Sequence, residues 1–135
     1  MANYKKTFVD YCDKEGIRYT DLDDHSMKIV YTGDNLNSIP IFVSFDKEGG
    51  PTVSMRCWNI ANFSKSPANG ILVCNDMNAK WKWVKFYIDD DRDVIAEVDV
   101  RLNDYTCAAL CHATLRSIVN IVDEAYPEFM KSLWV

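Results

Sequence analysis

The stretch WKWVKFYIDDDRDVIAEVDV, residues 81–100, decides how the second half of the chain folds. Strand alternation divides it in two. Val84, Phe86 and Ile88 fall on one face of a first strand, with Trp83, Lys85 and Tyr87 on the other. In a second strand Val94, Ala96, Val98 and Val100 share a face, with Glu97, Asp99 and Arg101 opposite. The two apolar faces can pack on one helix layer, and Lys85 can pair with Glu97 across the solvent side. DDDRD (residues 89–93) lies where the chain must reverse, and aspartate suits turns because its side chain accepts backbone N–H bonds. The competing reading is a calcium loop, since Asp89, Asp91 and Asp93 match the start of an EF-hand. Its later positions fail: Val94 stands where glycine is needed, Val100 where a bidentate glutamate is needed, and strands flank it. The segment reads as a hairpin without a metal.

Upstream, Tyr4, Phe8, Tyr11 and Cys12 recur at helical spacing and Gly16 supplies a stop, giving a helix over residues 3–15. IRYTDL, MKIVYT and IPIFVSF are short, rich in β-branched or aromatic residues and separated by polar turns. PTVSMRCWNIANF continues as a longer strand, and Pro40 suggests an edge or a strand end. Ser66-Pro67 reads as a side-chain cap followed by a helix to about Lys80. From Thr106, the residues Cys107, Cys111, Leu115, Ile118, Val122 and Ala125 make one apolar stripe. Pro127 is expected to end or kink that helix, leaving PEFMKSLWV as a short amphipathic tail. The order α, three or four β, α, two β, α predicts a single α+β domain over 1–135, an antiparallel β-sheet packed with helices.

Composition narrows the functional classes. Hydrophobic residues make up 48% and charged residues 26%, which is globular rather than disordered. A net charge of −5 argues against nucleic-acid and anionic-membrane partners, because both need a basic field. No apolar run approaches the roughly 18–20 residues needed to cross a bilayer. The N-terminal MANYKKTFVDYC lacks the unbroken apolar core of a signal peptide. The five scattered cysteines, with no CxxC pair, read as reduced and buried thiols in a cytoplasmic protein.

Other chemistry-bearing residues read as structural. Cys107 and Cys111 belong to the apolar stripe, and His112 is turned about 100° from Cys111 with no further ligand at zinc spacing. His25 in DDHS reads as a turn residue without a nucleophile motif. Gly33 and the Gly49-Gly50 pair make no phosphate loop. KWKWVKF resembles a basic–aromatic nucleic-acid platform, but the domain around it is acidic. No catalytic residue, cofactor or enzymatic activity is expected.

The signal that remains is a surplus of aromatic rings. Trp81, Trp83 and Tyr87 are expected on the strand face opposite Phe86, with Trp58 and Trp134 elsewhere. Either helix 2 or the C-terminal tail covers them, or an apolar strip stays open for a partner chain or a second copy. The expected binding face is therefore Trp81, Trp83, Tyr87 and Trp134, and the expected partner is another protein or a homodimer mate. The alternative is a small-ligand sensor with a cavity between sheet and helix.

NAKWKWVKFYIDDDRDVIAEVDV and the closing DEAYPEFMKSLW resemble the YbjN-like family, whose domains look like type III secretion chaperones. In that family an asparagine on the second helix leads into an aromatic strand, an acidic turn and an "aE-d" strand. Here Asn75 or Asn78, Trp83, Phe86, Tyr87, Asp89 to Asp93, Ala96, Glu97 and Asp99 occupy those places, followed by Tyr126, Pro127 and Met130. The family turn is often Asp-Gly, whereas Asp91 is followed here by Arg92, which puts a two-residue turn in doubt. The resemblance implies a chaperone-like or regulatory protein-interaction domain without an established catalytic set.

Overall fold

Asn3 opens the fold by accepting a hydrogen bond from the Lys6 N–H (3.0 Å), and α1 (Tyr4–Glu15) runs from there to Gly16. Gly16 has a φ of 72°, the left-handed conformation that lets its N–H close back on the helix. The computed structural model describes residues 3–134. After α1 come β1 (Thr20–Asp21), β2 (Ser26–Tyr31), β3 (Ile39–Phe45), β4 (Thr52–Cys57), α2 (Pro67–Lys80), β5 (Lys85–Ile88), β6 (Val94–Arg101) and α3 (Cys107–Leu133). The strands form one antiparallel sheet in the order β1-β2-β3-β4-β6-β5. This is the expected α+β domain.

Alternation along the strands sorts the core. Met27 and Ile29, Ile41 and Val43, Val53 and Met55, Val94 and Ala96, and Phe86 point to one face and are buried. Phe8 and Cys12 of α1, with Leu115, Ile118, Val122 and Phe129 of α3, close over them. Each such large side chain contributes about 1.5–3 kcal/mol through its removal from water. α3 lies across β3, β4 and β6, with α1 beside it and α2 against β5. Pro40 sits within β3, but the β3–β4 pairing covers only Phe42 to Phe45, so its missing N–H falls at an unpaired strand end.

Four expectations are corrected. The strand from Pro51 ends at Cys57: Asn59 takes a φ of 58°, and the chain then runs irregularly along the start of β6, with Ile60 N–H and Phe63 N–H donating to the carbonyls of Val94 and Arg92. IRYTDL shrinks to the two paired residues of β1. Ser66 occupies the N-cap of α2 without a side-chain cap bond, so Pro67 alone marks the start. At α3 the cap comes instead from Asn103, whose Oδ1 accepts from Tyr105 N–H (3.0 Å) and Thr106 N–H (2.9 Å).

The fourth correction concerns Pro127, which neither ends α3 nor leaves a separate tail, since the helix continues to Leu133. A proline removes the N–H that would bond the carbonyl four residues back, here that of Asp123. That carbonyl accepts Asn35 Nδ2 instead, at 3.0 Å. The Asp123 carboxylate meanwhile takes the backbone N–H groups of Asp34, Asn35 and Leu36, each at 2.9 Å. The β2–β3 loop is thereby clamped to the middle of α3. Gly33 is required at this contact, since a Cβ there would lie 2.2 Å from Asp123 Oδ1.

Burial opposes the charge on Asp123, but the three N–H donors outweigh it and hold the carboxyl below the usual aspartate range. Asp123→Ala should cost about 2 kcal/mol, because it removes the charged acceptor of three part-buried backbone donors. The check is urea unfolding: the midpoint falls with an unchanged slope. A depressed folded-state value contributes stability that is complete above a pH of about 4 and is lost as pH falls further. The gap between wild type and variant should narrow below that pH.

Candidate functional site

The hairpin at residues 89–93 has the expected place and a three-residue loop. Asp89 N–H donates to Asp93 O (3.0 Å), Arg92 N–H donates to Asp89 O (3.0 Å), and Arg92 holds a φ of 67°. Asp89 Oδ1 accepts the N–H groups of Asp91 and Asp93, both at 2.9 Å, and Asp93 Oδ1 accepts Asn62 Nδ2 at 2.8 Å. The carboxylates of Asp89, Asp91 and Asp93 come within 4.8 Å of one another, and the bonds they make are those of a turn.

Upstream the structure departs from simple alternation. α2 ends at Lys80, and Trp81 caps it in extended conformation, partly buried, with Lys80 Nζ 5.2 Å from its ring centre. Its Nε1 is buried without a partner. Trp83 has a φ of 75°, and Val84 N–H donates to Lys82 O (2.9 Å), forming a γ-turn centred on the indole-bearing residue. A bulky residue held there costs of order 1–3 kcal/mol. The turn sends Val84 into the core and leaves Trp83 82% exposed. The face shared by Trp81, Trp83 and Tyr87 therefore does not form: regular alternation starts at Lys85.

The γ-turn leaves β5 only four residues long, paired with Val94 to Glu97. β6 continues to Arg101, with β4 on one side and no strand of the described residues on the other. The hydrogen bonds fix which way its backbone points. Asp93 bonds towards β5, whereas Val94 and Leu102 bond towards the β4 side. By alternation the N–H and C=O groups of Asp99 and Arg101 face the open edge. An apolar groove of about 420 Å³ runs beside that edge. Val84, Val98 and Val100 form its floor, Leu110, Ala113 and Thr114 of α3 its wall, and Trp83 one lip.

β5 itself is protected. Asn78 of α2 accepts from Phe86 N–H (2.7 Å) and donates to Phe86 O (3.0 Å), capping the outward backbone of the edge strand. Of Asn75 and Asn78, it is Asn78 that joins the second helix to the aromatic strand.

Tyr87 lies on the other side of the sheet. Its hydroxyl donates to Glu97 Oε1 (3.2 Å), Lys85 Nζ lies 2.8 Å from Glu97 Oε2, and Arg56 Nε also binds Glu97 Oε1. The expected Lys85–Glu97 pair thus exists, and Arg56 joins it. Burial opposes the charge of Glu97, but its bonds to Lys85 and Arg56 prevail and hold the carboxyl low. On the same outer face Phe42 and Trp58 meet edge to face at 6.3 Å. Trp134, 86% exposed, caps α3.

Sequence reasoning misses the exposed Ile71 and Leu72 on α2; Ile71 and Tyr87 line a second cavity of about 330 Å³ between α2 and β5. The run ILVC, residues 71–74, sweeps 300° of a helix at 100° per residue, so part of it had to face out.

The cysteines and histidines serve packing. Burial pushes the thiols of Cys12 and Cys74 up to about 11 and that of Cys57 up to about 12, and raises Cys107 and Cys111 as well. Thiolate, the reactive form, is scarce at neutral pH under those conditions. His112 Nδ1 lies 2.9 Å from Tyr11 Oη, joining α3 to α1, and His25 lies against Asp23 in its turn at 3.1 Å. No helix among the described residues is long and apolar enough to cross a membrane.

The YbjN family model, described as "Putative bacterial sensory transduction regulator", matches residues 7–131. The chain belongs to that family. A comparison with curated proteins finds no match in sequence. Among solved structures it is similar to YbjN from E. coli, at 11% identity and a TM-score of 0.67 over 92% of this chain and 89% of that one. It is similar to a chain of the ExsC–ExsE complex (12%, 0.66, covering 96% and 97%) and of the HopA1–SchA chaperone–effector complex (12%, 0.64, covering 92% and 94%). These likenesses show a shared fold.

Asn78→Ala should uncap Phe86 and cost about 2 kcal/mol, since it leaves a buried N–H and C=O unpaired. Amide hydrogen exchange reads this directly, with Phe86 and its β5 neighbours exchanging faster than the β3–β4 core.

Proposed function

We propose that this chain is a non-enzymatic protein-interaction domain, chaperone-like or regulatory, that takes a polypeptide segment into the groove between β6 and α3. The observation that carries this is Trp83. A tryptophan held 82% exposed by a strained turn, at the lip of an apolar groove and an open strand edge, is placed to anchor another chain. Extended peptides bind such edges through their backbone and gain specificity from alternate side chains in adjoining pockets. Trp81 packs against the core, while Tyr87 on the outer face and Trp134 at the end of α3 are further exposed rings outside the groove. Solved structures with this fold include complexes between two proteins, ExsC with ExsE and a chaperone with its effector, which supports the reading. The buried thiols suit a reducing cytoplasm, and their suppressed reactivity supports a non-catalytic role.

The test is affinity capture by the tagged full chain. Trp83→Ala should reduce recovery of a stoichiometric partner at least tenfold while stability stays within about 0.5 kcal/mol, as befits an exposed side chain. Tyr87→Ala should have a smaller effect. Unchanged capture by Trp83→Ala, or its unfolding, would assign the ring to structure.

A second reading is a small-ligand sensor, because a groove of about 420 Å³ falls within the roughly 300–1,000 Å³ of small-molecule sites. A metabolite thermal-shift screen decides it: a ligand-induced rise in Tm that Leu110→Trp abolishes places a small molecule in the groove.

A further inference from the structure

We infer that the outer face of the sheet is a second docking surface, and that its occupant is an amphipathic helix of another protein with acidic residues along one flank. α1 and α3 close over one face of the sheet and α2 lies against the β5 edge, which leaves the other face open. The registers set what that face presents. Val30 lies opposite Pro40, and Ile95 opposite Tyr87. Trp58, one residue past β4, falls by the same registers between Pro40 and Ile95, and its ring meets Phe42 edge to face. An apolar row of Val30, Pro40, Trp58, Ile95 and Tyr87 thus crosses five strands. Val30 is 53% exposed and Trp58 46%, so the row is open to a partner.

The neighbouring row gives the face its charge. Lys28, Phe42, Arg56, Glu97 and Lys85 stand in register one step along the strands. That row carries three cations to one carboxylate, in a chain whose net charge is −5. Arg56 and Lys85 share Glu97, and Lys28 has no ion pair among the described residues. The acidic turn of residues 89–93 bounds the opposite side of the apolar row at its β5–β6 end.

These features select the occupant. A chain lying on this face meets side chains rather than a strand edge, so it must satisfy its own backbone groups, which favours a helix. Strands about 4.8 Å apart make the row about 19 Å long. A helix of about 13 residues covers that length, with its apolar stripe on the row. Glutamates or aspartates then belong on the flank over Lys28 and Lys85, and none on the flank over the acidic turn. The same face of a second copy is a poor fit, because it brings a basic row against a basic row. Single-stranded nucleic acid is opposed by the acidic turn and the net charge. The groove lies on the helix side of the sheet, so a partner on one surface leaves the other free.

The experiment pans a displayed library of amphipathic helical peptides with the full chain and measures the enriched peptides by fluorescence anisotropy. Enriched sequences should carry acids on one flank of the apolar stripe, and raised salt should weaken their binding. Val30→Glu and Lys28→Glu should each raise the Kd at least tenfold, whereas Trp83→Ala should change it less than twofold. Circular dichroism and Tm check each variant; where either shifts, Val30→Ser and Lys28→Gln read the same contacts.

A library that yields no binder overturns the proposal, as do binders without an acidic flank or binders that neither outer-face variant weakens. Peptides lost with Trp83→Ala instead belong to the groove, which removes this surface and keeps the function proposed above. An oligothymidylate probe that binds more tightly than the peptides and is released by Lys28→Glu assigns the face to nucleic acid and likewise overturns the helix.

Discussion

The contact on which the arrangement turns is the one between Asp123 and the β2–β3 loop. Its carboxylate satisfies three consecutive backbone donors, and its carbonyl, released by Pro127, takes the Asn35 amide. A helix of 27 residues is thereby attached at its middle to the far side of the sheet from β5. The apolar stripe of α3 sets which face meets the sheet, but hydrophobic contact is non-directional and leaves sliding along the axis open. Hydrogen bonds at defined angles close that freedom. Once α3 is placed, Phe129 meets Phe86 at 5.3 Å, and Leu110 and Thr114 stand over β6 as the wall of the groove.

The groove owes its existence to a second constraint, at the start of β5. A strand running on from Trp83 in regular alternation would cover Asp99 and close the sheet edge. The γ-turn at Trp83 prevents this, so the sheet ends in two steps: β5, capped by Asn78, and beyond it the bare end of β6. One edge is protected against other chains while an adjoining stretch is left open beside apolar side chains. A protein that merely had to be soluble gains nothing from exposing both together. That combination, rather than any titratable cluster, is what the proposed binding role rests on.

Much of the fold is legible in the residues. The alternation of 84–88 and 94–100 locates the hairpin and anticipates the Lys85–Glu97 pair, which the register places directly opposite. Tyr4, Phe8 and Cys12 with Gly16, and the stripe from Cys107 to Ala125, locate α1 and α3. Pro127 misleads because its local effect, a lost N–H, does not reveal that a side chain from residue 35 replaces the bond. Trp83 misleads for a related reason. Alternation assumes extended backbone, and a tryptophan at positive φ is costly enough that no local rule proposes it.

What the sequence alone determined was the class of fold and the membership of each strand face, because both follow from periods of two and 3.6 residues that burial imposes directly. It also determined that charge chemistry would sit on turns and on the outer sheet face. Tertiary structure alone decided which aromatic rings stay together. Trp81 packs against the core, Trp83 stands at the groove, Tyr87 joins the Glu97 cluster and Trp134 ends α3. The open edge of β6 is likewise invisible in the chain, since an edge is the absence of a neighbour. Only the finished strand order, with a four-residue β5 beside an eight-residue β6, shows where a neighbour is missing.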